Sequence, residues 1–139
     1  MLRKAPVTTI MTQHVITLNK KDTLETAEKL FKKHHIRHIP VVSGKAIIGM
    51  LSYTDLLRIS FADSAYEDDE YIDSVVYNMF NIEQVMVKKI VCVSPSNSIK
   101  EVAEILAHSE FHALPVVDGN TLIGIVTTTD LINYLLKQF

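Results

Sequence analysis

The sequence predicts an α+β fold of two β-α-β-β-α units, packed sheet to sheet about a pseudo-two-fold axis. Three observations carry that prediction. Shifted by 75 positions, residues 11–57 align without a gap on residues 86–132. Each copy alternates short β-rich runs with stretches of helical apolar spacing. Each copy also has only about 50 residues, near the lower limit for folding alone, so a second sheet is needed to close a core. A period this long marks duplication of a whole supersecondary unit, not a solenoid.

The elements follow in order. Residues 15–18 and 90–93 (VITL, IVCV) are short β-rich runs. A helix comes next, with Leu24, Ala27, Leu30 and Phe31 as its apolar stripe in the first copy and Ile99, Val102, Ile105 and Leu106 in the second. Asp22 or Thr23, and Asn97 or Ser98, are N-cap candidates. HIPVV and ALPVV then form a strand, a turn follows at Ser43-Gly44 or Asp118-Gly119, and AIIGML or TLIGIV returns as the hairpin partner. A second helix starts near Ser52 or Thr127. The β-α-β crossover is expected to be right-handed with parallel strands. Pro40 and Pro115 stand at strand starts, where a missing N–H is tolerated. Gly49 and Gly124 lie inside strands, where glycine is costly. Either a backbone or ligand approaches closely there, or the position is a bulge or a tight inter-repeat contact.

These boundaries give a first repeat with its N-terminal segment over residues 1–58, a linker over 59–81, and a second repeat with its C-terminal helix over 82–139. The linker holds an acidic run, Glu67-Asp68-Asp69-Glu70, followed by Ile72, Val75, Val76, Met79 and Phe80 at helical spacing. The acidic run reads as a solvated helix start before it reads as a metal site. The apolar stripe folds back on its own core or packs on a second chain, and we favour the second chain.

Composition removes several classes of function. A net charge of −2 provides no field for nucleic acid or an anionic membrane. No apolar run approaches the roughly 18–20 residues that span a bilayer, and no signal core follows Met1, so a soluble, cytoplasmic protein is expected. The single Cys92 lies in an apolar run and reads as a small buried hydrophobe. His34 and His38 have i, i+4 spacing, but Pro40 follows so closely that His38 is expected to be extended, and no metal site is predicted. There is no Ser/His/Asp or Cys/His arrangement and no glycine-rich phosphate loop, so no catalytic residues are assigned and no enzyme is expected.

The chemistry centres on Ser52-Tyr53-Thr54-Asp55 and Thr127-Thr128-Thr129-Asp130. The spacing is that of a capping box. It also follows a glycine-bearing strand in both copies, so a helix N-terminus opens at a strand end, where free N–H groups suit a phosphate. Hydroxyls add donors, while an aspartate accepts from a cis-diol such as a ribose edge. Arg37-His38 in one copy and His112 in the other supply cationic or polar partners for phosphate, and Lys20 and Lys21 add to the first. Val15, Ile16, Ile36, Ile90, Val91 and Phe111 offer apolar surface for a ring.

The ordered pair HIPVVSGKAIIGMLSYTDLL and ALPVVDGNTLIGIVTTTDLI, with the runs before them, resembles two cystathionine-β-synthase (CBS) domains in tandem, a Bateman module. The resemblance runs from about Thr9 to Tyr134 outside the linker. It implies adenosyl ligands (AMP, ADP, ATP, NAD or S-adenosylmethionine) in clefts between the repeats, with no cofactor required. Asp55 and Asp130 would hold ribose hydroxyls and Ser52 and Thr127 would sit near phosphate. Arg37, His38 and His112 would lie beside it, and backbone near Ile16-Thr17 and Val91-Cys92 would meet the base. Pro40, Pro115 and Lys20 complete the candidate set. Where the second copy has Val93-Ser94-Pro95, the first has Leu18-Asn19-Lys20, and Ala113 replaces His38, so the sites are not expected to be equivalent. The one with Arg37, His38 and Lys20 should favour the more charged ligand. The resulting expectation is a stand-alone regulatory module, homodimeric, that signals to an effector protein in trans. The alternative is a dimerisation scaffold with empty or vestigial clefts.

Overall fold

The computed structural model describes residues 5–64 and 77–139. The acidic run at Glu67–Glu70 and most of the linker stripe (Ile72, Val75, Val76) lie outside the described residues. The chain divides into two compact units: a central unit, Ile16–Ile90, and a terminal unit, Met1–Val15 with Val91–Phe139. Each therefore joins the body of one repeat to the short segment that precedes the other repeat.

In the central unit β1 (Leu18–Asn19) runs parallel to β2 (His38–Ser43), which pairs antiparallel with β3 (Ala46–Ser52). Helix α1 (Leu24–His34) makes the crossover. Of its two candidate caps it uses Thr23, whose hydroxyl accepts from the Thr26 amide at 3.1 Å. Asp22 instead closes the preceding turn by accepting from the Asn19 amide at 2.8 Å. Helix α2 (Tyr53–Ser64) follows β3, and the short α3 (Ile82–Val85) opens with an Asn81/Gln84 capping box. Leu18, Leu24, Phe31, Ile39, Val41 and Leu51 form the core, with Ile82 and Met86 from the returning segment. Tyr77 joins them, 7% exposed, with its hydroxyl hydrogen-bonded to Glu28. The apolar spacing of the linker gives no hint of Tyr77; Met79 and Phe80, which fit that spacing, are exposed.

The terminal unit repeats the plan with α4 (Ile99–Ala107), β4 (Ala113–Asp118), β5 (Thr121–Thr127) and α5 (Thr128–Lys137). Ser98, not Asn97, caps α4 in a complete capping box with Glu101. The chain start is built into this unit. Val7 is fully buried against Val102, Leu114 and Val116, and Thr12 exchanges backbone hydrogen bonds of 2.8 and 3.0 Å with Ile125. The equivalent segment of the central unit does the same through Val87 and Met50.

Both hairpins turn on a glycine at positive φ, Gly44 at 65° and Gly119 at 64°. These lie at the first loop position of a two-residue turn, where a side chain would be strained. Gly49 and Gly124 have a different reason. A Cβ on Gly124 would lie 2.5 Å from Met11 Sδ and 3.1 Å from the Thr12 carbonyl oxygen, and a Cβ on Gly49 would collide with Met86. In each case the close neighbour is the methionine of the segment that precedes the other repeat. Each hairpin also slips register beside its glycine, between Val41 and Val42 and between Val116 and Val117.

The first strand of each repeat is shorter than its sequence suggests. Only Leu18–Asn19 and Val93 pair, leaving Ile16, Thr17, Val91 and Cys92 outside the ladders. Proline supplies the reason. Val93 donates to the Pro115 carbonyl at 3.0 Å and accepts from Val117 at 2.8 Å. The next bond upstream would need an N–H at position 115 for the Val91 carbonyl, and proline has none. Pro40 stands in the same relation to Ile16.

Candidate functional site

In both units the second helix starts where the hairpin ends, and a backbone bond fixes the junction. The Tyr53 amide donates to the Arg37 carbonyl at 2.8 Å, and the Thr128 amide to the His112 carbonyl at 2.9 Å. The residue before the hairpin is thus pinned to the helix N-terminus. Directly opposed residues share a sheet face. His38 faces Ser52 and Ala113 faces Thr127, so Pro40 and Pro115, two residues along, lie on the same face. Both prolines are buried, while Arg37, Phe111, His112 and Val91 are exposed and Ile36 and Ile16 half-buried.

The two aspartates differ. Asp130 is part of a complete capping box: its amide donates to Thr127 Oγ1 at 3.1 Å, and its Oδ2 accepts from the Thr127 amide at 2.9 Å. Its Oδ1 has no hydrogen bond within the described residues. Asp55 makes half of this arrangement. Its amide donates to Ser52 Oγ at 3.0 Å, but its Oδ1 faces the Arg58 guanidinium at 3.4 Å. The Asp55 side chain is 16% exposed and that of Arg58 73%. Arg58 escaped the sequence reading, although an arginine three residues after a helical aspartate was the available signal.

The candidates divide between the two units. Ile16, Thr17, Ile36, Arg37, His38, Pro40, Ser52 and Asp55 belong to the central unit, and Val91, Phe111, His112, Pro115, Thr127 and Asp130 to the terminal one. Lys20 is also in the central unit but lies at the opposite end of its sheet from Ser52. It follows Asn19, which pairs with Val42 at the hairpin-turn end of β2, whereas Ser52 pairs with His38 at the other end. At ~3.3 Å per residue these positions are about 15 Å apart. The Lys20 turn and its counterpart also close alike, with Asp22 and Asn97 each accepting from the amide three residues back.

His34 ends α1, His35 adopts the left-handed conformation at its C-cap, and His38 is in β2, so no helical histidine pair forms. Among the described residues no cluster of His, Cys, Asp or Glu could hold a metal ion, and no helix is long and apolar enough to cross a membrane. Cys92 is half-buried, and burial pushes its thiol up.

Comparison with known families decides the fold's identity: the CBS domain matches at residues 7–62 and again at 82–137. The chain belongs to the CBS domain family. Among relatives of this CBS pair, the CBS domain-containing protein YhcV of Bacillus subtilis is 31% identical over 121 residues, covering 87% of this chain and 79% of YhcV. Other relatives are longer. The chain spans 45% of the MJ1225 protein of Methanocaldococcus jannaschii at 26% identity, and 24% of a homoserine O-acetyltransferase of Methanohalobium evestigatum at 26%. In that enzyme the matched part is a minor fraction. Among solved structures, the acetoin utilization protein AcuB of Vibrio cholerae superposes with a TM-score of 0.80 at 29% identity, over 96% of this chain and 91% of that one. CBSX2, solved in complex with AMP, gives 0.79 at 21% identity over 96% and 98% of the two chains. The CBS pair of MJ0100, solved with 5′-methylthioadenosine and S-adenosyl-L-methionine, gives 0.77 at 22% over 97% and 98%.

Proposed function

We propose that this CBS pair is a regulatory module that binds an adenosyl ligand, foremost AMP, ADP or ATP, and signals to a separate effector protein. The carrying observation is the strand-to-helix junction, present in both units. Each brings a hydroxyl, a carboxylate and a helix N-terminus together at the end of the hairpin where proline has freed a carbonyl, that of Ile16 or Val91. Those groups match an adenosine phosphate: carbonyl for the exocyclic amine, carboxylate for ribose hydroxyls, helix start and hydroxyl for phosphate. NAD and S-adenosylmethionine share the adenosine part. That CBSX2 was solved with AMP and MJ0100 with 5′-methylthioadenosine and S-adenosyl-L-methionine supports this ligand class. The residues in these roles are Asp55, Ser52, Arg37 and His38 in one unit, and Asp130, Thr127 and His112 in the other.

A homodimer in the cytoplasm completes the reading. Ile132, Leu135 and Leu136 lie at i, i+3 and i+4 along α5, Phe139 follows just past its end, and all four are more than half exposed, an apolar surface that a second copy would cover.

A second reading, a dimerisation scaffold with vestigial sites, draws on the Asp130 capping box, since half of that carboxylate is already engaged. A thermal-shift screen with AMP, ADP, ATP, NAD and S-adenosylmethionine separates the two. A ligand at about 100 times its Kd stabilises by roughly 2.7 kcal/mol, a rise of several degrees in a chain of this size. A flat response to all five would leave only the scaffold.

A further inference from the structure

The two junctions differ in charge at position after position. The exposed Arg37, whose carbonyl is pinned to the start of α2, corresponds to His112. His38 corresponds to Ala113. Arg58 corresponds to Asn133, and His35 to the carboxylate of Glu110. The Arg58 difference is the telling one. Helical side chains lean toward the N-terminus, and the guanidinium of Arg58 reaches back to Asp55 Oδ1, 3.4 Å away. A strongly exposed arginine is thereby held beside the carboxylate that would take the ribose and beside the helix start that would take phosphate. The ion pair is long and solvated, so it is weak and open to exchange. In the terminal unit, with Asn133 at that position, Asp130 turns to its own backbone instead.

We infer that the units are specialised by ligand charge. The central unit takes an adenosine polyphosphate, with Arg58 as a specificity-determining residue that leaves Asp55 for the phosphate chain when ribose engages the carboxylate. The terminal unit takes an adenosine derivative carrying at most one phosphate. This rests on the adenosyl reading given above. It adds to that reading an assignment of ligand to unit and a role for a residue outside the capping motif. Arginine suits that role, because its planar fork stays charged and binds phosphate oxygens in pairs.

Isothermal titration of the full chain with ATP and with uncharged 5′-methylthioadenosine tests it. ATP should fill one site per chain, weakening steeply with added salt. Arg58→Asn and Arg37→His, which install the terminal unit's residues, should each lower ATP affinity about tenfold, equivalent to ~1.4 kcal/mol. Neither should change binding of 5′-methylthioadenosine, which Asp130→Ala should remove. Asn133→Arg should raise ATP affinity at the terminal site, a gain that misfolding could not mimic. Equal binding of both ligands at both sites, or an unchanged ATP preference in Arg58→Asn, overturns the specialisation while leaving the adenosyl reading intact. Absence of binding by either ligand overturns both.

Discussion

Replacing Gly124 by alanine probes how the chain start is locked into the terminal unit. The new Cβ would stand 2.5 Å from Met11 Sδ and 3.1 Å from Met11 Cγ and the Thr12 carbonyl oxygen. Non-bonded contacts settle near ~3.5–4.0 Å, so the thioether must withdraw by about 1 Å. It cannot carry its segment along, because Thr12 is hydrogen-bonded in both directions to Ile125, the residue after the glycine. Overpacking of this kind costs about 1–3 kcal/mol. Urea unfolding should show Gly124→Ala destabilised by that amount. In a Met11→Ala background the same substitution should cost markedly less, giving a coupling energy of about 1 kcal/mol or more in a double-mutant cycle. Gly119→Ala is the control. It has open space around it but φ of 64°, so it should cost about 1 kcal/mol whatever stands at position 11. A Gly124→Ala protein as stable as the parent, or a cost that Met11→Ala leaves unchanged, would refute the steric account.

Other consequences can be checked on the same footing. Asp130→Ala should lose about 1 kcal/mol of stability with its cap as well as ligand binding, whereas Asp55→Ala, which gives up only a long exposed ion pair, should lose binding at little cost in stability; ligand titration and urea unfolding together read both. Val7→Ala should destabilise the terminal unit by roughly 1–3 kcal/mol, because Val7 is fully buried, and hydrogen exchange should place the loss in α4, β4 and β5 and not in α1. Tyr77→Phe should cost about 1 kcal/mol at neutral pH. Desolvation raises the Glu28 carboxyl, but hydrogen bonds from Tyr77 and Lys32 and the charge of Lys32 outweigh it and hold the group below its usual 4.5. A depressed folded value means that Glu28 stabilises fully above the unfolded value and loses this as pH falls through the folded one. The gap between Tyr77→Phe and the parent should therefore be widest at neutral pH and shrink below about 4.5 in pH-dependent unfolding.

The duplication made most of the fold legible. Helix stripes, the glycine turns, the parallel first strand and the N-caps follow from local chemistry, and the structure chose Thr23 and Ser98 from the offered pairs. What escaped depends on partners far away in sequence. The spacing of Gly49 and Gly124 left a close approach and a bulge both open and could not say that a methionine from before the other repeat would stand there. Tyr77 belongs to no apolar stripe, and Glu28, which accepts from its hydroxyl, lies 49 positions away in sequence. The closeness of Lys20 to β1 in sequence says nothing of parallel register. Only the pairing of Asn19 with Val42 shows that it lies at the hairpin turn.

The prolines show where a fold this regular leaves a backbone acceptor outside its ladder. A parallel pair extends until a donor is missing, and in both units the missing donor is at the residue that faces the unpaired approach to the first strand. The carbonyl left over must find water or a ligand. A few residues away in space the helix start also has amides to satisfy. In the terminal unit Asp130 meets one backbone need with Oδ2 and keeps Oδ1 outside any bond within the described residues, so capping engages only half of that carboxylate. In the central unit the Asp55 carboxylate faces the exposed Arg58 guanidinium instead. The same motif is thus in two electrostatic states within one chain: Asp55 faces a cation, and Asp130 faces its own backbone.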